Sequence, residues 1–204
     1  GAAVYPADMN LPGTLVGKCL RSPYAYARIL SVDAAAARQV PGVHAVLTGF
    51  DIPEMLVGRF LRDMPVLARD VVRFMGQKVA AVAAEDADAA EEAVQRIEVE
   101  YEELPPLLDP LEAMRPDAPV LPPDFMSYTG RVPGPQEHPN VVAHSTWKRG
   151  DVEQGFRDAA HVFEHTFRTP HQHQAYIEPH ASVLSLDTNG HVQVWINSKM
   201  PFQV

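Results

Sequence analysis

Cysteine occurs once in these 204 residues, at Cys19. An intrachain disulfide is therefore impossible. Basic side chains are short as well. Lys and Arg total 17 against 26 Asp and Glu, a formal charge of -9, so nothing repays the phosphate charge of a nucleic acid or draws the chain to an anionic membrane. No run of about 18 apolar residues exists to cross a bilayer as a helix. Gly130, Gly134, Gly150 and Gly155 lack the spacing of a phosphate-binding loop, and no Gly-x-Ser-x-Gly elbow is present. The start, Gly-Ala-Ala-Val-Tyr, has no basic region followed by an apolar stretch. The expectation is a chain without a secretory signal, working in a reducing cytoplasm.

What is present is 46% hydrophobic side chains in patterned runs, enough for one large core or two small ones. Thr14–Val32 holds two apolar strand-like runs around a turn marked by Ser22-Pro23. Cys19 lies in the first and reads as a small buried hydrophobe. Asp33 is placed to cap a short helix from Ala34 to Gln39, stopped by Pro41-Gly42. His44–Thr48 is a candidate strand, and Gly49–Asp70 reads as loop with short pieces. Val79–Ala84 is a continuous apolar run whose length suits a buried strand, although its alanine richness leaves a helix open.

Asp86–Arg96 carries Ala90, Ala93, Val94 and Ile97 at helical spacing, with acidic residues weighted to the start. Ile97–Glu102 then alternates, which predicts a half-exposed strand with Ile97, Val99 and Tyr101 inward and the glutamates solvated. Strand, helix and strand follow one another twice in roughly the first 105 residues, so an α+β or α/β unit is expected.

Ten of the 19 prolines fall between Pro105 and Pro139. Each lacks a donor and fixes φ, so this stretch predicts a connector running across a surface rather than sheet interior. Beyond it, Asp151 can cap a short helix to about Ala159. Three alternating runs follow: Val162–Arg168, Ala181–Leu186 and Val192–Asn197. The last two flank Asp187-Thr-Asn-Gly190, a strong hairpin signal. The run ending at Val204 has no closing element, so the second unit is expected to be incomplete.

Six of the nine histidines lie in the last 44 residues. His161-Val-Phe-Glu164-His165 matches the His-x-x-Glu-His pattern of a zinc peptidase, but that chemistry needs a helix to bring positions i and i+4 onto one face. Phe163, His165 and Phe167 alternate with polar residues, which argues for a strand and against a self-contained metal hydrolase. His171 and His173, followed by Glu178 and His180, form a second metal candidate. The alternative that they pack against a partner segment is preferred, and no metal ligand is assigned.

Several segments together resemble the large subunit of the xanthine dehydrogenase/aldehyde oxidase (molybdenum hydroxylase) family. Leu11-Pro-Gly-Thr-Leu15 leading to Leu20-Arg-Ser-Pro-Tyr-Ala-Tyr-Ala-Arg-Ile29 resembles the opening of its α/β hammerhead domain. Val40-Pro-Gly-Val43, Val72-Arg-Phe-Met-Gly-Gln-Lys-Val-Ala80 and Val99-Glu-Tyr-Glu-Glu-Leu-Pro105 continue the likeness. Gly150-Asp-Val152, Phe167-Arg-Thr-Pro170 and Glu178-Pro-His180 resemble the start of the first molybdopterin-binding domain.

The resemblance implies an α+β hammerhead over 1–109, a proline-rich connector over 110–145 and the truncated start of the cofactor domain over 146–204. It also implies hydroxylation, or reductive dehydroxylation, of an aldehyde, purine, N-heterocycle or aromatic thioester such as 4-hydroxybenzoyl-CoA. Water would supply the oxygen in the hydroxylating direction. The molybdenum-pterin cofactor would belong to the complete enzyme, and iron-sulfur clusters and FAD to partner subunits, since no cysteine framework stands here. The family's Gly-Gly-Phe-Gly segment and C-terminal glutamate base are absent from these residues. The fragment alone is therefore expected to bind no cofactor and to carry no catalytic residue.

One position departs from the pattern. Where many members read Trp-x-Ser-Thr-Gln, with the glutamine beside the metal's apical oxygen, this sequence reads Trp195-Ile-Asn-Ser-Lys199. Lys199 is thus the expected neighbour of the molybdenum. A non-catalytic hammerhead kept as an interaction module is the alternative reading.

Overall fold

A computed structural model describes residues 2–59, 61–121, 124, 127–130, 139–199 and 202. The chain divides into two compact units, one spanning Leu11–His144 and the other joining Gly1–Asn10 to Ser145–Val204. Within the first unit lie β1 (Val16–Arg21), β2 (Ala27–Asp33), β3 (Val43–Thr48), β4 (Leu56–Val57), β5 (Met64–Pro65), β6 (Val71–Val72), β7 (Lys78–Ala84), α1 (Ala87–Gln95), β8 (Glu98–Glu103) and α2 (Pro110–Ala113). One sheet runs β1-β7-β3 and another β6-β2-β8, while β4 pairs with β5. Every pairing is antiparallel, which resolves the class as α+β. The two runs around Ser22-Pro23 do not pair with each other, since β1 and β2 belong to different sheets.

β7 explains why its sequence does not alternate: both of its faces are covered. Ala80, Val82 and Ala84 pack with Ala90, Ala93 and Ile97 of the helical layer, and Val79 packs with Ala27, Ile29, Ala68 and Val72 beneath the other sheet. A strand buried on both sides reads as an unbroken apolar run. Small side chains let the helix sit close, and Ala80, Ala84, Ala90 and Ala93 are all fully buried. Asp86 caps α1 by accepting from the Ala89 N–H at 2.8 Å, and Lys18 of β1 pairs with Glu91 on the helix's outer side. Val99 and Tyr101 face inward from β8 as the period of two requires, while Glu98, Glu100 and Glu102 stay exposed.

Two expectations are corrected here. The segment after Asp33 is a 3₁₀ turn over Ala37–Gln39 rather than a helix from Ala34. Asp33 accepts from the Ala35 N–H at 2.8 Å in an Asx turn, and the single α-type bond from the Arg38 N–H to the Ala34 carbonyl at 3.1 Å gives way to i to i+3 bonds at Gln39 and Val40. Gly42, with φ +82, then reverses the chain, and the Val43 N–H reaches the Val40 carbonyl at 3.1 Å. Cys19 is half-buried rather than buried, because β1 pairs on one side only, with β7.

Among the described residues of the proline-rich stretch, discrete bonds take the place of a ladder. Asp109 caps α2 through the Leu111 N–H at 2.7 Å and the Glu112 N–H at 3.3 Å. Asn140 donates to the Ala113 and Pro119 carbonyls, each at 2.9 Å, and accepts from the Leu121 N–H at 3.0 Å. The Arg62 N–H donates to the Thr129 carbonyl at 2.9 Å.

The second unit contains α3 (Val152–Asp158), capped by Asp151 through the Gln154 N–H at 2.9 Å, and an antiparallel hairpin of β9 (Ser182–Leu186) and β10 (Val192–Ile196). Gly190 takes φ +84 in the connecting turn. The expected strand Val162–Arg168 does not form. Phe163 and Phe167 are 81% and 87% exposed, and no ladder reaches this segment among the described residues. Alternation orders side chains, but a strand also needs a neighbour for its backbone N–H and C=O groups.

Candidate functional site

The hairpin places the sequence-predicted residue at its end. Asp187 organises the turn: its Oδ1 accepts from the Asn189 N–H at 2.8 Å and the His191 N–H at 2.9 Å, and its Oδ2 lies 3.1 Å from the His191 ring. The backbone bond from His191, foremost among these contacts, holds the carboxyl below its ordinary value. Trp195 faces Val183 across the ladder, on the less exposed face. β10 stops at Ile196, so side-chain alternation does not carry through to residue 199. Lys199 is exposed in a bend. Asn197 turns back instead, its Nδ2 donating to the Pro179 carbonyl at 3.4 Å. That bond ties Glu178-Pro-His180 to the run around Lys199.

The histidine-rich segment forms ring contacts. His173 and His180 both meet Tyr176 edge-on with centroids 5.3 Å apart. The His173 Nδ1 accepts from the Ala175 N–H at 2.9 Å, which assigns the ring proton of the neutral form to Nε2. Ala175 adopts φ +54, a left-handed conformation costly for a residue with a Cβ. His161 and His165 sit in neither helix nor strand, so the zinc-peptidase geometry is not built. Among the described residues no group of three or more His, Cys, Asp or Glu is placed to hold a metal ion.

A polar cluster in the first unit left no mark in the sequence pattern, because Arg73 lies 51 residues from Asp124 and 55 from Tyr128. The Arg73 Nη1 donates to the Tyr128 hydroxyl at 2.7 Å and to the Asp63 carbonyl at 3.3 Å. Tyr128 donates to the Asp124 Oδ1 at 2.8 Å, and the Arg73 Nη2 lies 3.5 Å from the same oxygen. Burial, aided by the bond to Asp124, pushes the Tyr128 hydroxyl up to about 12. The cluster joins the proline-rich stretch to the β6–β7 turn, and no periodicity could have revealed it.

Known proteins share both the sequence and the fold of this chain. Residues 1–105 match the family described as aldehyde oxidase and xanthine dehydrogenase, a/b hammerhead domain. Residues 134–204 match the molybdopterin cofactor-binding domain. The chain belongs to the aldehyde oxidase and xanthine dehydrogenase family, as the sequence resemblance implied. It is 38% identical to a probable xanthine dehydrogenase subunit of Bacillus subtilis (strain 168), over 93% of this chain and 24% of that protein. It is 37% identical to the carbon monoxide dehydrogenase large chain of Hydrogenophaga pseudoflava, over 100% of this chain and 26% of that one. The crystal structure of quinoline 2-oxidoreductase from Pseudomonas putida 86 superposes with a TM-score of 0.78 at 31% identity, over 97% of this chain and 25% of that one. The chain thus spans about a quarter of the length of these relatives.

Residues 134–204 match the cofactor-binding domain, yet the described residues do not by themselves make a pterin pocket. A cofactor rich in hydrogen-bonding atoms needs convergent, sheltered donors. Among the described residues the buried polar side chains are Ser22, Thr48 and Gln77, all in the first unit, whereas Lys199 is exposed in the second.

Proposed function

We propose that this chain is the N-terminal part of the molybdenum-binding subunit of a molybdenum hydroxylase, an oxidoreductase that acts only as a complete complex. The observation that carries the reading is the tandem match of a hammerhead at residues 1–105 and a molybdopterin domain at 134–204. In such an enzyme the cofactor supplies the redox chemistry, and the protein orients it. The hammerhead serves as scaffold, and the proposed proline-rich connector over 110–145 overlaps the first residues of the 134–204 match before the cofactor domain proper from 146. Iron-sulfur and FAD subunits are the proposed partners, in line with relatives that are themselves named as one subunit or one large chain of an enzyme. Xanthine, carbon monoxide and quinoline, from the names of the relatives, are the first substrates to try, with aldehydes and aromatic thioesters next. No helix among the described residues is long and apolar enough to cross a membrane, and a cytoplasmic location fits a cofactor enzyme of this kind.

Elemental analysis separates fragment from complex. The 204-residue chain should retain no molybdenum through purification, while the complete subunit with its partners should hold it stoichiometrically and reduce a dye with one of these substrates. Stoichiometric molybdenum on the fragment, or its absence from the complete complex, would refute the reading.

Lys199 is the proposed neighbour of the molybdenum. An ammonium donates but cannot accept, and it adds a charge where an amide adds none. Lys199→Gln in the complete complex should shift the pH dependence of turnover and leave subunit assembly unchanged. Identical kinetics at every pH would reduce Lys199 to a surface residue.

A further inference from the structure

Gln77 stands immediately before β7 and is only 4% exposed. Its Oε1 accepts from the Arg73 N–H at 2.7 Å. Its own N–H donates to the Phe74 carbonyl at 3.2 Å, and its carbonyl accepts from the Ser22 N–H at 2.9 Å. The side-chain Nε2, with two hydrogens to give, meets no acceptor among the described residues. A buried donor without a partner is costly and rare in a folded chain.

Gln77 helps to wall a cavity of about 210 Å³ whose other surfaces include Leu61, Met64, Phe74, Leu121 and Val142. On the other side of Phe74 a groove of about 560 Å³ shares Arg73, Phe74, Leu121 and Asn140 with it. Three further polar side chains of the cavity, those of Tyr128, Arg73 and Asn140, are already engaged. Tyr128 and Arg73 are bonded to each other and to Asp124, and Asn140 is committed to three backbone groups. Charge decides what the unspent donor can take. Arg73 is met by Asp124, and Asp63 also lines the wall, so the cavity offers an anion no surplus positive charge.

We propose that this cavity binds a neutral carbonyl or carboxamide group carried on an apolar body, with the Gln77 amide as the hydrogen-bond donor and Phe74 as the apolar contact. The site lies in the hammerhead unit and is independent of the molybdenum reading. A lone acceptor oxygen satisfies the orphan N–H, and the apolar walls take the rest of the ligand.

Titration of the isotopically labelled 204-residue chain with benzamide, benzoate and toluene, followed by NMR, tests this. Benzamide should shift the Gln77 side-chain N–H signals and the Leu61 and Leu121 methyl signals saturably. Toluene should bind about tenfold more weakly, the effect of losing one hydrogen bond of ordinary strength, and benzoate should bind more weakly as well, because its charge is desolvated beside Asp63 with no free cation among the described residues of the wall to meet it. Gln77→Met should weaken benzamide by a similar factor and leave toluene unchanged. Should that variant not fold, the three-probe comparison on the unaltered chain still decides. Equal affinity for benzamide and toluene, tighter binding of benzoate, or no saturable shift at Gln77 would each overturn the proposal.

Discussion

Removing one hydroxyl tests whether the Arg73–Tyr128–Asp124 cluster fastens the proline-rich stretch to the hammerhead. Tyr128→Phe deletes an oxygen that accepts from the Arg73 Nη1 at 2.7 Å and donates to the Asp124 Oδ1 at 2.8 Å. Tyr128 is 6% exposed, so water does not replace it. A hydrogen bond to a charged group contributes about 1.5–3 kcal/mol. Asp124, whose side chain is 53% exposed, recovers part of its loss from solvent, which leaves a net cost of about 2 kcal/mol. With a urea slope of about 2 kcal/mol/M, the midpoint should fall by about 1 M. The cost should also depend on pH. Tyr128 holds its proton more tightly folded, at about 12, than an unfolded tyrosine near 10 does. Its contribution is therefore complete below about pH 10 and is lost as pH rises towards 12. The gap between the native chain and Tyr128→Phe should narrow across that window. An unchanged urea midpoint at neutral pH would show that the cluster is decoration and that apolar packing alone holds the stretch.

Asp86→Ala should cost about 1 kcal/mol, because the Ala89 N–H loses its acceptor; urea unfolding measures it, and Asp86→Ser should restore most of the loss. The depressed Asp187 carboxyl stabilises the hairpin turn above the ordinary carboxylate range and loses that effect as pH falls through its folded value. Amide exchange at Asn189 and His191 should accordingly speed up in acid, beyond the intrinsic pH effect, and Asp187→Asn should abolish that excess. Ala175→Gly should relieve the left-handed backbone at φ +54 and stabilise the local turn by about 1 kcal/mol, read as slower exchange at the neighbouring amides.

Elements whose signals are local were legible. Asp86 and α1, Asp151 and α3, and the Asp187–Gly190 turn each satisfy their own backbone groups within a few residues. The family, too, was readable from short segments such as Arg73-Phe-Met-Gly-Gln-Lys78. The stretch Val162–Arg168 shows where pattern fails, since a correct alternation does not supply a pairing partner. Lys199 shows the same limit at the candidate site: its position follows from register with Trp195, but β10 ends three residues earlier, so its direction does not.

By itself the sequence determined most of the local elements, the mixture of helix and strand and, through its motifs, the membership of the molybdenum hydroxylase family, because capping, periodicity and turn chemistry act over a few residues. Only the tertiary structure decided that β1 and β2 enter separate sheets, that β7 is covered on both faces, and that Arg73, Tyr128 and Asp124 meet around one hydroxyl. It alone left the Gln77 amide buried without an acceptor among the described residues, beside an apolar cavity. Such contacts join residues dozens of positions apart, and their formation depends on how packed layers share space, a property that no local pattern encodes.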